Sequence, residues 1–214
     1  MTNFSSSSRA PASLRVIWQA LRIWYDDWFN LFIQNLLVHI AWLTIILGPP
    51  MLFGLYEIGN ELAHGRSHGV GELVAAARRH FLASWLWVLS NVIVLLVIGV
   101  NIVFYWRLGQ SWAIVLVSVF LLAGFYWLVM QVYAIPYYME LKEPSLKQAL
   151  KNSALTVLAA PGYSFILFLY TAFLLLISYI FILPLFLAGP TLPIVTNSYA
   201  VIERLQAFGV KQAD

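Results

Sequence analysis

The chain contains no cysteine, which removes disulfides, thiolate metal sites, cysteine nucleophiles and thiol redox chemistry. Charge is scarce as well: 10% of its 214 residues are Asp, Glu, Lys or Arg, where an ordinary soluble domain carries about 25%. With 62% hydrophobic residues and a mean hydropathy of +0.82, water is not its main solvent. Signatures of catalysis are missing too. There is no HExxH, no GxSxG and no pair of carboxylates in a loop, and Gly65 to Gly71 lacks the spacing and trailing Lys of a phosphate loop, so it reads as a flexible linker. A non-enzymatic protein without a cofactor is expected. Glu61, His64 and His68 share a spacing that could hold a metal on a helix, but Gly65 and Gly69 favour a turn there, and no metal centre is expected.

What charge there is sums to +3. The twelve Lys and Arg residues are scattered in small groups between apolar runs, an arrangement suited to anionic lipid headgroups and not to nucleic acid. No short apolar stretch with a cleavage site precedes Trp28, so no cleaved leader is expected. Residues 1–12 read as a disordered tail, 13–206 as a single transmembrane helical domain and 207–214 as a C-terminal tail.

Stretches free of Asp, Glu, Lys and Arg run from Trp28 to Tyr56, His80 to Trp106, Leu108 to Met139 and Asn152 to Ile202. Each exceeds the roughly 20 apolar residues needed to cross a bilayer, and the last would be far too long as one helix. Breakers divide two of the runs: Gly48, Pro49 and Pro50 in the first, Gly189 and Pro190 in the last. The expected fold is therefore an all-α polytopic transmembrane bundle of about six spans, near 28–47, 50–64, 82–106, 111–136, 161–183 and 190–205. Placing both termini in the cytoplasm puts Arg9, Arg15, Arg22, Arg66, Arg78, Arg79, Lys142, Lys147, Lys151, Arg204 and Lys211 inside and only Arg107 outside, as the positive-inside rule demands. A five-span layout would divide the same residues eight to four. Trp28, Trp85 and Trp87 fall near inner ends, and Trp106 and Trp112 flank the outer loop.

Three amphipathic helices are expected on the cytoplasmic surface. The first carries Leu14, Ile17, Trp18, Leu21, Trp24 and Tyr25 with Arg15 and Arg22, and Ser13 stands where a cap would. The second carries Val70, Leu73, Val74, Ala77 and Phe81 with Arg78 and Arg79, and the third, from Pro144, carries Leu146, Leu150, Ala154 and Val157 with Lys147 and Lys151. Such basic faces suit anionic lipid or a cytoplasmic partner such as a transporter subunit, and sequence does not separate the two.

Polar groups inside the spans form the site hypothesis. Asn35 and His39 share a face of the first span, and Glu57 and Glu61, with Asn60 beside them, share one of the second. Two readings follow: a solute or proton cleft open to the cytoplasm near His39 and Glu57, or polar bridges that join helices with Glu61 at headgroup level. Asn91, Asn101, Gln131 and Asn197 admit the same two readings. No inverted repeat relates the two Gly-Pro sites.

Residues 35–85 resemble the YesL-like family of bacterial membrane proteins, a domain of unknown function. The resemblance rests on Asn35-Leu36-Leu37, Trp42-Leu43, Gly48-Pro49-Pro50, Leu55-Tyr56, the polar linker with Arg66, and Arg78-Arg79-His80-Phe81. Pro50 departs from the small residue usual there, and later spans match only in layout. The resemblance implies a multi-pass protein of the bacterial cytoplasmic membrane, associated with carbohydrate uptake by ATP-driven transporters, and it supplies no catalytic residue. The expected role is an accessory or assembly subunit, with small-solute transport as the alternative.

Overall fold

The computed structural model describes residues 12–181, 186 and 188–209. Nine helices and no strand are found among them: α1 (Ala12–Asp26), α2 (Trp28–Trp42), α3 (Gly48–Ala63), α4 (Val70–Arg79), α5 (Phe81–Arg107), α6 (Ser111–Glu140), α7 (Leu146–Ala159), α8 (Pro161–Ile180) and α9 (Thr191–Ala207). The expected N-terminal tail as far as Pro11, the C-terminal tail beyond Gly209, Arg9 and Lys211 lie outside the described residues.

Three helices are long and apolar enough to cross a membrane: α5 with 27 residues, α6 with 30 and α8 with 20. At 1.5 Å per residue they extend about 40, 45 and 30 Å, against a hydrocarbon thickness of about 30 Å. They are helical because their apolar runs carry few internal breakers; Pro136 lies one turn from the end of α6, and Gly109 at φ 63° supplies the left-handed turn between α5 and α6. Their outward faces are apolar and bare, with Leu82, Leu96, Leu122, Phe173 and Leu176 all exposed, which is the surface a lipid phase covers.

α2, α3 and α9 have 15, 16 and 17 residues and are each shorter than the bilayer core at about 22 to 26 Å. α9 is the central helix: every residue from Leu192 to Ser198 is buried, and Ala200 and Val201 follow. Packed on every side over these residues, it sits inside the bundle although Thr196, Asn197 and Ser198 are among them. α3 crosses it where Gly59 lets Ile194 approach; a Cβ at Gly59 would lie 2.6 Å from the Ile194 side chain.

The structure shifts the first expected turn. Gly48, Pro49 and Pro50 form the first turn of α3, where Pro is favoured because its missing N–H needs no partner. The chain reverses in Leu43 to Leu47, with Ile45 at φ 60°. Gly48 serves the reversal differently, because Trp42 lies flat on it and leaves no room for a side chain. Gly189 and Pro190 do turn the chain ahead of α9.

Two of the three expected surface helices spend their apolar sides within the protein. α4 buries Leu73, Ala76 and Ala77 against α3, and α7 buries Ala149, Ser153, Thr156 and Val157, chiefly against α6. α7 is capped by Ser145, whose Oγ accepts from the Gln148 N–H at 3.4 Å. Ser13 is not a cap but lies within the first turn of α1, packed beside Val16 and Ala20. This small-residue side of α1 meets α9, fastened by Trp24 Nε1 donating to Thr191 Oγ1 (3.0 Å) and Tyr199 OH donating to Gln19 Oε1 (2.5 Å). Leu14, Trp18 and Tyr25 are left on the outside with Arg15 and Arg22, whose guanidinium stands 5.3 Å from the Trp18 ring.

Tyrosines tie the remaining helices together. Tyr133 donates to Ser164 (3.0 Å), Tyr126 donates to the Ala154 carbonyl (2.8 Å), and Tyr137 and Thr156 share a hydrogen bond at 2.6 Å. Tyr163 donates to Glu203 at 2.9 Å while Arg204 lies over its ring at 3.9 Å.

Candidate functional site

α3 has two differently furnished sides, and each borders an opening. On one side, Glu57, Asn60 and Glu61 join Arg79, His80, Tyr138, Met139 and Pro144 around a polar recess of about 150 Å³. On the other, Leu52 and Tyr56 help to enclose a cavity of about 580 Å³ walled by α2, α5, α6, α8 and α9.

The polar recess is mostly satisfied from within. Glu57 accepts from Arg79 Nη2 at 2.5 Å and faces His80 Nε2 at 2.6 Å. The His80 side chain is 8% exposed and its Nδ1 lies 3.5 Å from Tyr138 OH. Glu61 accepts from Arg66 and lies 3.4 Å from His68 Nε2, while His64 Nε2 meets Glu140 at 2.7 Å. These pairs join α3 to the α4 C-terminus, to the linker after α3 and to the end of α6. Their physical effect is to neutralise carboxylates at the rim of an apolar bundle.

The structure separates the intramembrane residues that share a cluster in the sequence reading. Glu57, Asn60 and Glu61 stay together in the recess, whereas Asn35 and His39 belong elsewhere. Asn35 is fully buried and its Nδ2 donates to the Phe186 carbonyl at 2.8 Å. His39 Nδ1 lies 2.8 Å from the Asn35 carbonyl, its ring sits 5.5 Å from that of Phe186, and it lines the large cavity. Among the basic residues, Arg79 is held by Glu57, while Arg15, Arg22, Arg78, Lys147 and Lys151 are exposed and form no salt bridge among the described residues.

The amides that the sequence reading places inside spans divide as well. Asn91 and Gln131 bind α5 to α6: Trp87 Nε1 donates to Gln131 at 3.1 Å, and Trp127 Nε1 donates to Asn91 at 3.0 Å. Asn101 donates to the Val97 carbonyl of its own helix at 2.8 Å. Asn197 is different. It is 1% exposed, accepts from Thr171 Oγ1 at 3.1 Å, and its amide lies beside the Tyr56 hydroxyl.

The large cavity therefore combines apolar walls with a small set of polar groups, His39, Tyr56, Gln131, Thr171 and Asn197, and with no Asp, Glu, Lys or Arg among the described residues that line it. Its volume falls within the range of about 300–1,000 Å³ typical of small-molecule sites. The sequence reading passed over Tyr56, Thr171 and Tyr179 as site residues. Tyr56 had a local signal, being one residue from Glu57 and hence on a neighbouring face of the same helix; the other two become site residues only when α8 packs beside α9. Comparisons with protein-family models, with curated proteins and with solved structures returned no match.

Proposed function

We propose that this is a non-enzymatic protein of the bacterial cytoplasmic membrane that holds a small molecule inside its helical bundle. The observation that carries this is the cavity of about 580 Å³, apolar over most of its wall, with His39, Tyr56, Thr171 and Asn197 as its few polar groups. Six helices enter the bilayer from the basic side or return to it, with both termini cytoplasmic: α5, α6 and α8 cross, α9 pairs with α8, and α2 with α3 forms a hairpin. The Trp85 indole donating to the Ile46 carbonyl at 3.2 Å supports a hairpin that stops inside the membrane, because its tip then meets α5 only about 6 Å past Phe81 at 1.5 Å per residue.

Direct transport of the solute is the fuller form of this reading. The test is purification in mild detergent followed by mass spectrometry of co-purifying small molecules. A stoichiometric small molecule is expected with the wild type and is lost in both Asn197→Leu and Ala172→Trp. Retention in both variants would overturn the reading.

An accessory role beside a transporter subunit is the second reading, favoured by the outward Leu14, Trp18 and Tyr25 with Arg15 and Arg22, and by free Lys147 and Lys151 on α7. It is also what the YesL-like resemblance implies. Neutralising Arg15, Arg22, Lys147 and Lys151 should release a co-purifying subunit; Arg79 is unsuitable for this purpose because it bridges to Glu57. An unchanged set of partners would remove the docking idea.

A further inference from the structure

We infer that the cavity takes an uncharged amphiphile, a single apolar chain ending in a hydroxyl or ester head, which enters sideways from the bilayer. The inference rests on the proposed small-molecule site and names its ligand class.

Charge is the first discriminator. Among the described residues, no acidic or basic side chain other than His39 lines the cavity, so a charged ligand would lack a full counter-charge in a low-dielectric interior, a loss its contacts would have to offset. The polar groups are the second. The Asn35 carbonyl opposite His39 Nδ1 at 2.8 Å can only accept, so Nδ1 carries a proton, and in the tautomer with that proton alone Nε2 is an acceptor. Asn197, whose amide nitrogen has two N–H donors, and the Tyr56 hydroxyl beside it supply the complementary donors. A hydroxyl both donates and accepts, and an ester accepts. A sugar offers many hydroxyls to a cavity in which Gln131 is occupied by Trp87 and Thr171 by Asn197, so most would go unpaired.

The route is the third. Trp42, Leu128 and Tyr179 line the cavity and are also 45%, 45% and 73% exposed on its outer wall. Around them the outward faces of α6 and α8 present Leu121, Leu122, Leu169 and Phe173. The opening therefore faces hydrocarbon, where an apolar chain is already dissolved and slides in without crossing water.

The test uses the full chain in lipid nanodiscs and a monoacylglycerol with a diazirine in its acyl chain, against the fatty acid of the same chain as an anionic probe and glucose as a soluble competitor. Saturable labelling of residues 128–135 and 171–179 is expected. Excess unlabelled monoacylglycerol abolishes it, glucose does not, and Asn197→Leu weakens half-saturation about tenfold, the loss of one well-made hydrogen bond. Competition in the wild type needs no variant and stands even if Asn197→Leu fails to fold. Protection by the fatty acid or by glucose, but not by monoacylglycerol, overturns the ligand class and leaves the cavity as a site. Labelling that never saturates with either probe and is equal in Ala172→Trp marks bulk lipid, and then both the inference and the site fall.

Discussion

Glycine shows at the residue scale how much the neighbourhood decides. Gly54 and Gly71 are both helical, yet a Cβ at Gly54 would sit 2.8 Å from the Leu73 carbonyl and 3.1 Å from the Ala77 nitrogen, while at Gly71 nothing lies within 4 Å. Backbone does not give way as a side chain can. Gly54→Ala should therefore destabilise by about 1–3 kcal/mol through overpacking, and Gly71→Ala should stabilise by up to about 1 kcal/mol through lost unfolded-state entropy. Thermal unfolding of the two variants in one detergent reads the opposite signs, and a loss in both would show that α4 is not packed as described. Glu57 makes a second contrast. Its removal leaves His80, with an 8% exposed side chain, short of a partner, whereas its other partner, Arg79, is 60% exposed and already in contact with solvent or headgroups. Glu57→Ala should cost about 1–3 kcal/mol and Arg79→Ala about 1 kcal/mol or less; equal losses in unfolding experiments would mean that His80 finds another partner. Both contrasts come from contacts between residues far apart in sequence, which is why the helix-breaker and polar-cluster arguments did not reveal them.

At the scale of the element, composition predicted the existence of helices better than their depth. The apolar runs of α5, α6 and α8 are continuous enough that no other reading fits them, and they emerged as the three span-length helices. α2 and α3 were legible as helices joined by a tight reversal, but how far the reversal reaches depends on the tilt of the pair against α5. Because the chain has no native cysteine, Ile46→Cys and Gln110→Cys each give a unique label site. In sealed vesicles, a charged maleimide should reach Gln110→Cys from the outer face and should fail to reach Ile46→Cys from either face. Reaction of Ile46→Cys from the same face as Gln110→Cys would mean that the hairpin crosses completely.

For the whole molecule, charge counting and the depth of the α2–α3 hairpin are separate questions. Leu43 to Leu47 contains no charged residue, so the division of eleven basic residues against Arg107 is the same whether the tip emerges or stops inside. Periodicity was equally blind to the use of amphipathic faces. α4 and α7 each had an apolar side and a basic side, as a lipid-bound helix does, but tertiary packing claimed their apolar sides for α3 and α6. α1 keeps a large apolar stripe beside exposed arginines, because its contact with α9 is made on its small-residue side, where Ser13, Val16 and Ala20 lie.

The sequence by itself determined that this chain is helical and that it holds apolar helices long enough to cross a membrane, since these follow from hydropathy summed over long segments. It also determined that thiol chemistry is absent, a matter of composition alone. Tertiary structure alone decided which polar residues meet. Glu57 and His39 occupy adjacent helices, yet α3 turns Glu57 toward Arg79 and His80 while His39 faces a cavity shared with Asn197 and Thr171. A helix places side chains in every direction around its axis, and which direction faces a neighbour is settled by close packing of residues remote in the chain.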